Sequence, residues 1–591
     1  MATRRYGSDL IVDLLHRYGI RYAPLNPGST FRGLHDSIVN YGGNRPEIIE
    51  CPHEEIAVAM AHGYAKVTGE PLVAILHNVV GLLHGAMAIY YAYLDRVPML
   101  IMGATGPMDA ALRRPRIDWD HTALVQADPI RHYVKWDDQP FGPEAVVEGF
   151  VRGYRIACAE PQGPVYFCYD VAFQEEPLTR EVPLPDPQRP RVYTPLQADA
   201  AALDRAAAWL TEAERPVLVA DLLGRRPERV TTLVELAELL AAPVVDMNGR
   251  LNFPTRHPLC SLTREPLRQA DVVLLLDVRD PFGALTEPAP ESARGAAGEI
   301  RHLRRVTPAG CRVIELGIGD LAIRSWSHQF QRLLQTDLPI LGDTQVALPA
   351  LLEACRQRVK AGRLPASASA AAREARLAEW RRRHEAARRR WEEEARANWD
   401  AQPMTTARLA SEVWRAIRGR DWVLTANTLG NWTRRLWDFD QPYRHPGRHL
   451  GTATQIGISL GVALAYRGSG KLVVDIQPDG DLMFDVGALW VATHHQIPIL
   501  VVMYNNRAYY NDWEHQIVVA RERGRDERTA YIGMELDHPA PDFAALARAF
   551  GWYAEGPITD GSQVYPALER AIRVLESEGR PALVDCVTQF R

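Results

Sequence analysis

The sequence predicts an α/β protein of three doubly wound parallel-sheet domains, and three observations carry that prediction. Short apolar, β-branched runs of the kind that make buried strands alternate with segments of helical spacing in three successive blocks. A strand, helix, strand unit closes with a right-handed crossover, which brings both strand ends to one sheet edge. In the last block two such runs, residues 471–476 and 498–504, lead into candidate ligands, Asp479 in Pro478-Asp-Gly-Asp481 and Asn506 in Asn505-Asn506. Ligands of open α/β sheets bind at that carboxyl edge.

In chain order, the first block covers residues 1–178 and ends in the strand-like run 164–171. It contains the turn Asn26-Pro27-Gly28-Ser29, a helix-forming segment from Glu54, and a run at 73–76 that enters a glycine-containing turn through His77. A Pro-rich stretch, 177–195, reads as a linker. The second block, 195–358, has strand-like runs at 216–221, 243–247, 270–278 and 312–317. Residues 359–403 are rich in Ala, Arg and Glu with opposite charges near i,i+4 spacing, which predicts a solvated connecting helix. Its glutamates cancel much of the field that a nucleic-acid backbone would need, so no nucleic-acid partner is expected. The third block, 404–591, opens with 422–426, a strand leading into Asn427, Gly430, Asn431 and Trp432. Backbone N–H groups at a helix start there would suit a diphosphate.

Composition fits this organisation. The chain has 591 residues, 47% hydrophobic and 24% charged, with a net charge of −5, an ordinary globular balance with room for three or four domains. No segment approaches ~20 uninterrupted apolar residues and no start resembles a leader, so a cytoplasmic location and no membrane partner are expected. The seven cysteines are scattered without a Cys-x-x-Cys pair, which points to neither a disulfide framework nor a zinc site.

Asp479, the amide oxygen of Asn506 and the backbone carbonyl of Ala508 would give Mg²⁺ three hard oxygen ligands, leaving positions for phosphate oxygens and water. Gly480 would let backbone approach the phosphates. An Asp-Gly turn and an Asn-Asn turn after two strands are also common in ordinary α/β proteins.

On these residues the chain resembles the thiamine-diphosphate (ThDP) enzymes of the acetolactate synthase and benzoylformate decarboxylase-like 2-oxoacid decarboxylase family, whose motif is Gly-Asp-Gly followed by Asn-Asn. Pro478 replaces the first motif glycine. The family's other signature is matched by Glu54 ahead of Gly63-Tyr64-Ala65. The resemblance implies pyrimidine-binding, middle and diphosphate-binding domains, with ThDP and Mg²⁺ as cofactors. Glu54 would be the catalytic carboxyl that hydrogen-bonds the aminopyrimidine in a dry pocket. A first-turn glutamate favoured by the helix dipole is the plainer alternative. Ser29 would face the substrate and His77 would be an active-site histidine, though position alone singles His77 out. Ile456 would wedge between the rings of the cofactor, with Gly480, Asp481 and Tyr509 beside it. The small residues Ala57, Ala59, Ala61, Gly63 and Ala65 would pack on a partner helix across a homodimer interface, giving shared sites and possibly a tetramer. The family's middle domain carries FAD, ADP or nothing. Arg279 lies near a position where FAD-binding members place an arginine, but residues 222–226 replace a glycine-rich phosphate turn, so FAD is left unassigned.

The substrate side departs from acetolactate synthases. Glu55, Asp120-His121 and His515 stand where those enzymes have Gln, Phe-Gln and Trp, which puts acetolactate formation in doubt. His121, Glu514 and His515 are either proton shuttles or outward side chains of a hydrated loop. The polar stretch 509–516 would cover the substrate and suit a polar one. The expected activity is decarboxylation of a 2-oxo acid, with aldehyde release or ligation to a second carbonyl. The alternatives are C–C lysis of a 2-hydroxyacyl-CoA or diketone, and a non-catalytic ThDP-binding homologue.

Overall fold

The structure is a computed structural model that describes residues 5–189, 191–289, 303–323, 332–362, 364–426, 428–447 and 452–590. Three parallel sheets follow one another along the chain. The first contains β1 (Tyr22–Leu25), β2 (Glu47–Glu50), β3 (Leu72–Ile75), β4 (Met99–Thr105), β5 (Trp136–Asp138) and β6 (Pro164–Asp170), in the order β2-β1-β3-β4-β6-β5. β3 and β4 are buried on both faces, which is why they read as continuous apolar runs rather than alternating ones.

The second sheet is built from β7 (Pro216–Ala220), β8 (Val244–Asp246), β9 (Cys260–Ser261), β10 (Val272–Leu276), β13 (Arg312–Gly317) and β14 (Leu338–Leu341). Its order is β14-β13-β10-β7-β8-β9. A small antiparallel pair, β11 (Thr286–Pro288) and β12 (Leu303–Arg305), stands apart from it. The expected connecting helix runs from Ala370 to Ala395, capped by Ser369 and carrying Arg388–Glu392 and Arg390–Glu394 pairs at i,i+4.

The third sheet has β15 (Trp422–Ala426), β16 (Leu472–Pro478), β17 (Leu500–Asn505), β18 (Tyr553–Ile558) and β19 (Ala582–Val587), in the order β15-β16-β17-β19-β18. Pro478 of β16 pairs with Tyr504 of β17, so Asp479 and Asn506 leave adjacent strands at the same edge.

The first and third sheets are joined by two crossing helices, Glu54–Thr68 and Gln455–Ala465. Glycines set this contact. A Cβ on Gly63 would lie 2.0 Å from the carbonyl oxygen of Ile458, and one on Gly461 would lie 2.1 Å from that of Met60. Gly457 likewise meets the Cβ of Ala59. The resulting core is continuous, with Ile56 and Met60 in one apolar cluster with Ile456 and Leu460. This small-residue face packs on the Gln455–Ala465 helix of the same chain.

Candidate active site

Glu54 opens its helix in the first turn, after His53, whose ring accepts from the backbone N–H of Glu55 at 3.2 Å. The carboxyl is 3% exposed, which is the dry setting expected for it. Two features fix it. Oε2 is bonded to Nδ1 of His84 at 3.1 Å, and Oε1 lies against Gly81, where a Cβ would come within 3.0 Å. His84 and Gly81 both lie on the helix Asn78–Leu94. Nothing local in the sequence marks His84, because its partner is thirty positions away.

His77 caps the start of that helix and is bonded through Nδ1 to Thr30 Oγ1 at 2.8 Å. Thr30 also accepts from the backbone N–H of Asn78 at 3.2 Å. Ser29 is half-buried in the turn beside them, so the residue that touches His77 is its neighbour Thr30. Gly28 makes the approach possible, since a Cβ there would sit 2.7 Å from that of His77. The His77 and His121 rings are 5.3 Å apart. Burial and the nearby His121 both hold the His77 imidazole below its ordinary pKa, which favours its neutral form. Asn78, 1% exposed, has both side-chain amide atoms without a protein partner, a sign that this cleft is built to receive a polar group.

At the edge of the third sheet, Asp479 is 2% exposed and its Oδ2 has no hydrogen-bond partner. Burial pushes its pKa up to about 6, partly offset by the backbone N–H groups of Gly480, Arg507 and Ala508. Asn506 Oδ1 accepts from the N–H of Ala508 at 3.0 Å, so these two expected ligands belong to one tight turn in which Arg507 takes a positive φ of 56°, and the N–H groups of that turn reach Asp479 from the neighbouring strand. An orphaned, buried carboxylate oxygen beside an amide and a carbonyl fits a hard divalent cation. Gly480 has a reason beyond phosphate approach, because a Cβ would meet the Tyr509 ring at 2.6 Å.

Asp481 accepts from the N–H of Ala453 at 2.6 Å and from Gln477 at 3.1 Å, tying the segment before Ile456 to the metal turn. Ile456 is fully buried in the first turn of its helix, as a wedge would be. Gly430 and Asn431 are exposed, both with positive φ, and the helix after them, Trp432–Leu436, has only five residues. That is shorter than the helix start expected there. Asn427 and Gly451 lie outside the described residues.

The two halves meet. Tyr91, on the Asn78–Leu94 helix, is hydrogen-bonded to the backbone of Thr452. Burial pushes Glu55 and Asp485 each up to about 7, with Asp481 adding to both and Glu55 adding to Asp485. The sequence stretch expected over the substrate is instead the helix Tyr510–Glu522, none of whose residues is buried. Glu514 is exposed and His515 half-buried there, and among the described residues neither forms a hydrogen bond or ion pair.

The middle sheet does not fit a dinucleotide. Arg279, expected near a flavin, is held bidentately by Asp221 at 2.8 and 3.0 Å. Gly224, in the turn where a phosphate would sit, faces the carbonyl oxygen of Leu251, 2.1 Å from a Cβ position.

Residues 5–124 match the thiamine pyrophosphate enzyme N-terminal TPP binding domain, and residues 427–586 match the corresponding C-terminal TPP binding domain. The chain belongs to the thiamine pyrophosphate enzyme family. Relatives of full length are distant. Sulfoacetaldehyde acetyltransferase of Castellaniella defragrans is 24% identical, with 91% of this chain and 86% of that protein covered. Benzoylformate decarboxylase of Pseudomonas aeruginosa is 25% identical, with 98% of each covered. Among solved structures, benzoylformate decarboxylase from Polynucleobacter necessarius superposes with a TM-score of 0.74 at 18% identity over 99% of both chains. The 4-hydroxybenzoylformate decarboxylase of Rhodococcus jostii gives 0.72 at 18% identity, over 99% of this chain and all of that one. These likenesses show the fold that a thiamine pyrophosphate enzyme of three parallel-sheet domains shares with them. No described helix is long and apolar enough to cross a membrane.

Proposed function

We propose that this chain is a ThDP- and Mg²⁺-dependent enzyme that decarboxylates a 2-oxo acid and either releases an aldehyde or ligates the remaining fragment to a second carbonyl. The observation that carries the proposal is a pair of buried carboxyls with different surroundings, one in each of the two domains that the crossing helices join. Asp479 has an open oxygen at the sheet edge, while Glu54 keeps Oε1 against a glycine. When bound, ThDP supplies a carbon nucleophile and an electron sink for loss of CO₂. Asp479, Asn506 and the Ala508 carbonyl would hold the divalent cation, which would supply positive charge to offset the diphosphate. Glu54 Oε1 is the oxygen available to hold a proton toward a ring nitrogen, since Oε2 is engaged by His84. On the substrate side, His77 and His121 can accept or donate a proton, with His77 favoured in its neutral form. Thr30 fixes the His77 ring.

The relatives named as decarboxylases support a 2-oxo acid donor. The filled middle-sheet edge weighs against FAD and against the CoA-ester reading. The test is incubation with ThDP, Mg²⁺ and a panel that includes pyruvate and benzoylformate, with products followed by NMR. CO₂ loss from at least one donor that stops when ThDP is omitted is expected. ThDP binding without turnover of any 2-oxo acid would contradict the proposal and favour the lyase or the non-catalytic reading.

A further inference from the structure

The reading above leaves a proton problem. A carboxyl that is to gain and lose a proton during turnover must exchange it with water, yet the Glu54 side chain is 4% exposed. Its hydrogen-bond partner is the opposite case, for the His84 side chain is 51% exposed. One nitrogen of that ring, Nδ1, is 3.1 Å from Glu54 Oε2, and among the described residues Nε2 has no protein partner.

We propose that His84 is the route by which the Glu54 proton reaches solvent. Starting from the acid, the proton on Glu54 Oε2 passes to the lone pair of His84 Nδ1 while the hydrogen on Nε2 is given up to water. The products are the Glu54 carboxylate and a neutral imidazole that carries its hydrogen on Nδ1. The reverse sequence reloads the acid. No other co-reactant is needed, and Oε1 stays free for the cofactor throughout.

The surroundings suit a relay rather than a fixed salt bridge. The His53 ring stacks on His84 with centroids 5.1 Å apart and planes at 21°, which holds the imidazole in one orientation. The ionisable groups facing this ring are Glu54 and His53, and burial holds the His53 imidazole below its ordinary pKa. Beyond His53 lie Glu55 and Asp485, each within 4.8 Å of the His53 nitrogen that faces them. Among the described residues, Glu54 is the one group in direct hydrogen-bond contact with His84.

Because the inference rests on Glu54 working as an acid and base, the test separates the two. His84→Gln keeps a side-chain N–H able to hold Oε2 but cannot carry a proton. Turnover of a 2-oxo acid is expected to fall about 10- to 100-fold. ThDP affinity should stay within about 3-fold, because binding does not require the transfer. Added imidazole should restore part of the rate in proportion to its concentration. A readout without cofactor or turnover uses ¹³C-labelled histidine: the His84 signal, assigned by its loss in His84→Gln, should move in Glu54→Gln protein. Undiminished turnover in His84→Gln, or a loss that imidazole does not relieve, would overturn the relay. A Glu54→Gln variant with full turnover would instead remove the reading beneath it.

Discussion

The carboxyl edges of the second and third sheets differ in one respect that separates a filled edge from a usable one. Both present aspartates at strand ends: Asp221, Asp246 and Asp277 in the second, Asp479 in the third. In the second sheet every one is matched by arginine. Asp221 holds Arg279, Asp246 faces Arg434 at 3.1 Å, and Asp277 meets Arg225 and Arg229. Arg225 also reaches Glu160, and Arg250 pairs with Asp95 at 2.6 Å, so this edge is sealed against the first domain. Asp479 has no cation among the described residues and keeps an unpartnered oxygen. Equal carboxylate chemistry therefore serves interdomain cohesion in one place and, among the described residues, is left without a cation in the other.

Breaking each edge should have opposite consequences. Asp479→Asn removes the charge that a cation would meet, and Mg²⁺-dependent ThDP affinity should weaken by more than about 100-fold in isothermal titration, with turnover lost. The apo protein should lose no thermal stability, because a buried, uncompensated carboxyl is being neutralised. Arg229→Met does the reverse. It leaves Asp343 without its arginine and Asp277 with Arg225 alone, and should cost roughly 3–5 kcal/mol in denaturant unfolding while ThDP affinity of the folded protein is unchanged. A metal-dependent loss in the second variant would show that the two edges are not separable.

The crossing of the Glu54 and Gln455 helices within one chain gives a third test. Glu54→Gln and Asp479→Asn chains, co-expressed and co-purified, should not restore each other's activity. Recovered turnover would show that the two halves of a site come from different subunits.

A smaller effect follows from Glu55 and Asp485. Their ordinary values are 4.5 and 3.8, and both are pushed up to about 7 in the fold. Between those limits the folded state holds protons that the unfolded chain has released, so stability is highest below about pH 4 and falls as pH rises through 7. The melting temperature of cofactor-free protein should decline from pH 5 to pH 8, and the decline should flatten in the Glu55→Gln/Asp485→Asn double variant. The smallest expected effect is that of FAD or ADP on the melting temperature, which should be nil because the edge they would need is filled; a clear upward shift would reopen the middle domain as a nucleotide site.

The central strands of the three sheets, such as β3, β10 and β17, were legible in the sequence because they are short, apolar and buried on both faces, and the turns after β16 and β17 because they carry Asp479 and Asn506 at strand ends. Glu54 could be read because it opens a helix of small residues. What was not legible depended on contacts between distant segments. His84 and Thr30 gain their places only when the Asn78–Leu94 helix docks beside Glu54 and the Gly28 turn. Asp481 was singled out by position, and its partners in the fold are the Ala453 backbone and Gln477. The stretch holding Glu514 and His515 is a helix with no buried residue, and among the described residues neither side chain forms a hydrogen bond or ion pair.

The central claim is that Asp479 holds the cofactor's metal while Glu54 handles a proton. The most direct measurement is turnover of a 2-oxo acid alongside ThDP affinity in wild-type and Glu54→Gln protein. The account predicts affinity within a few-fold and turnover reduced by about 10²- to 10⁴-fold; unchanged turnover with the cofactor bound would contradict it.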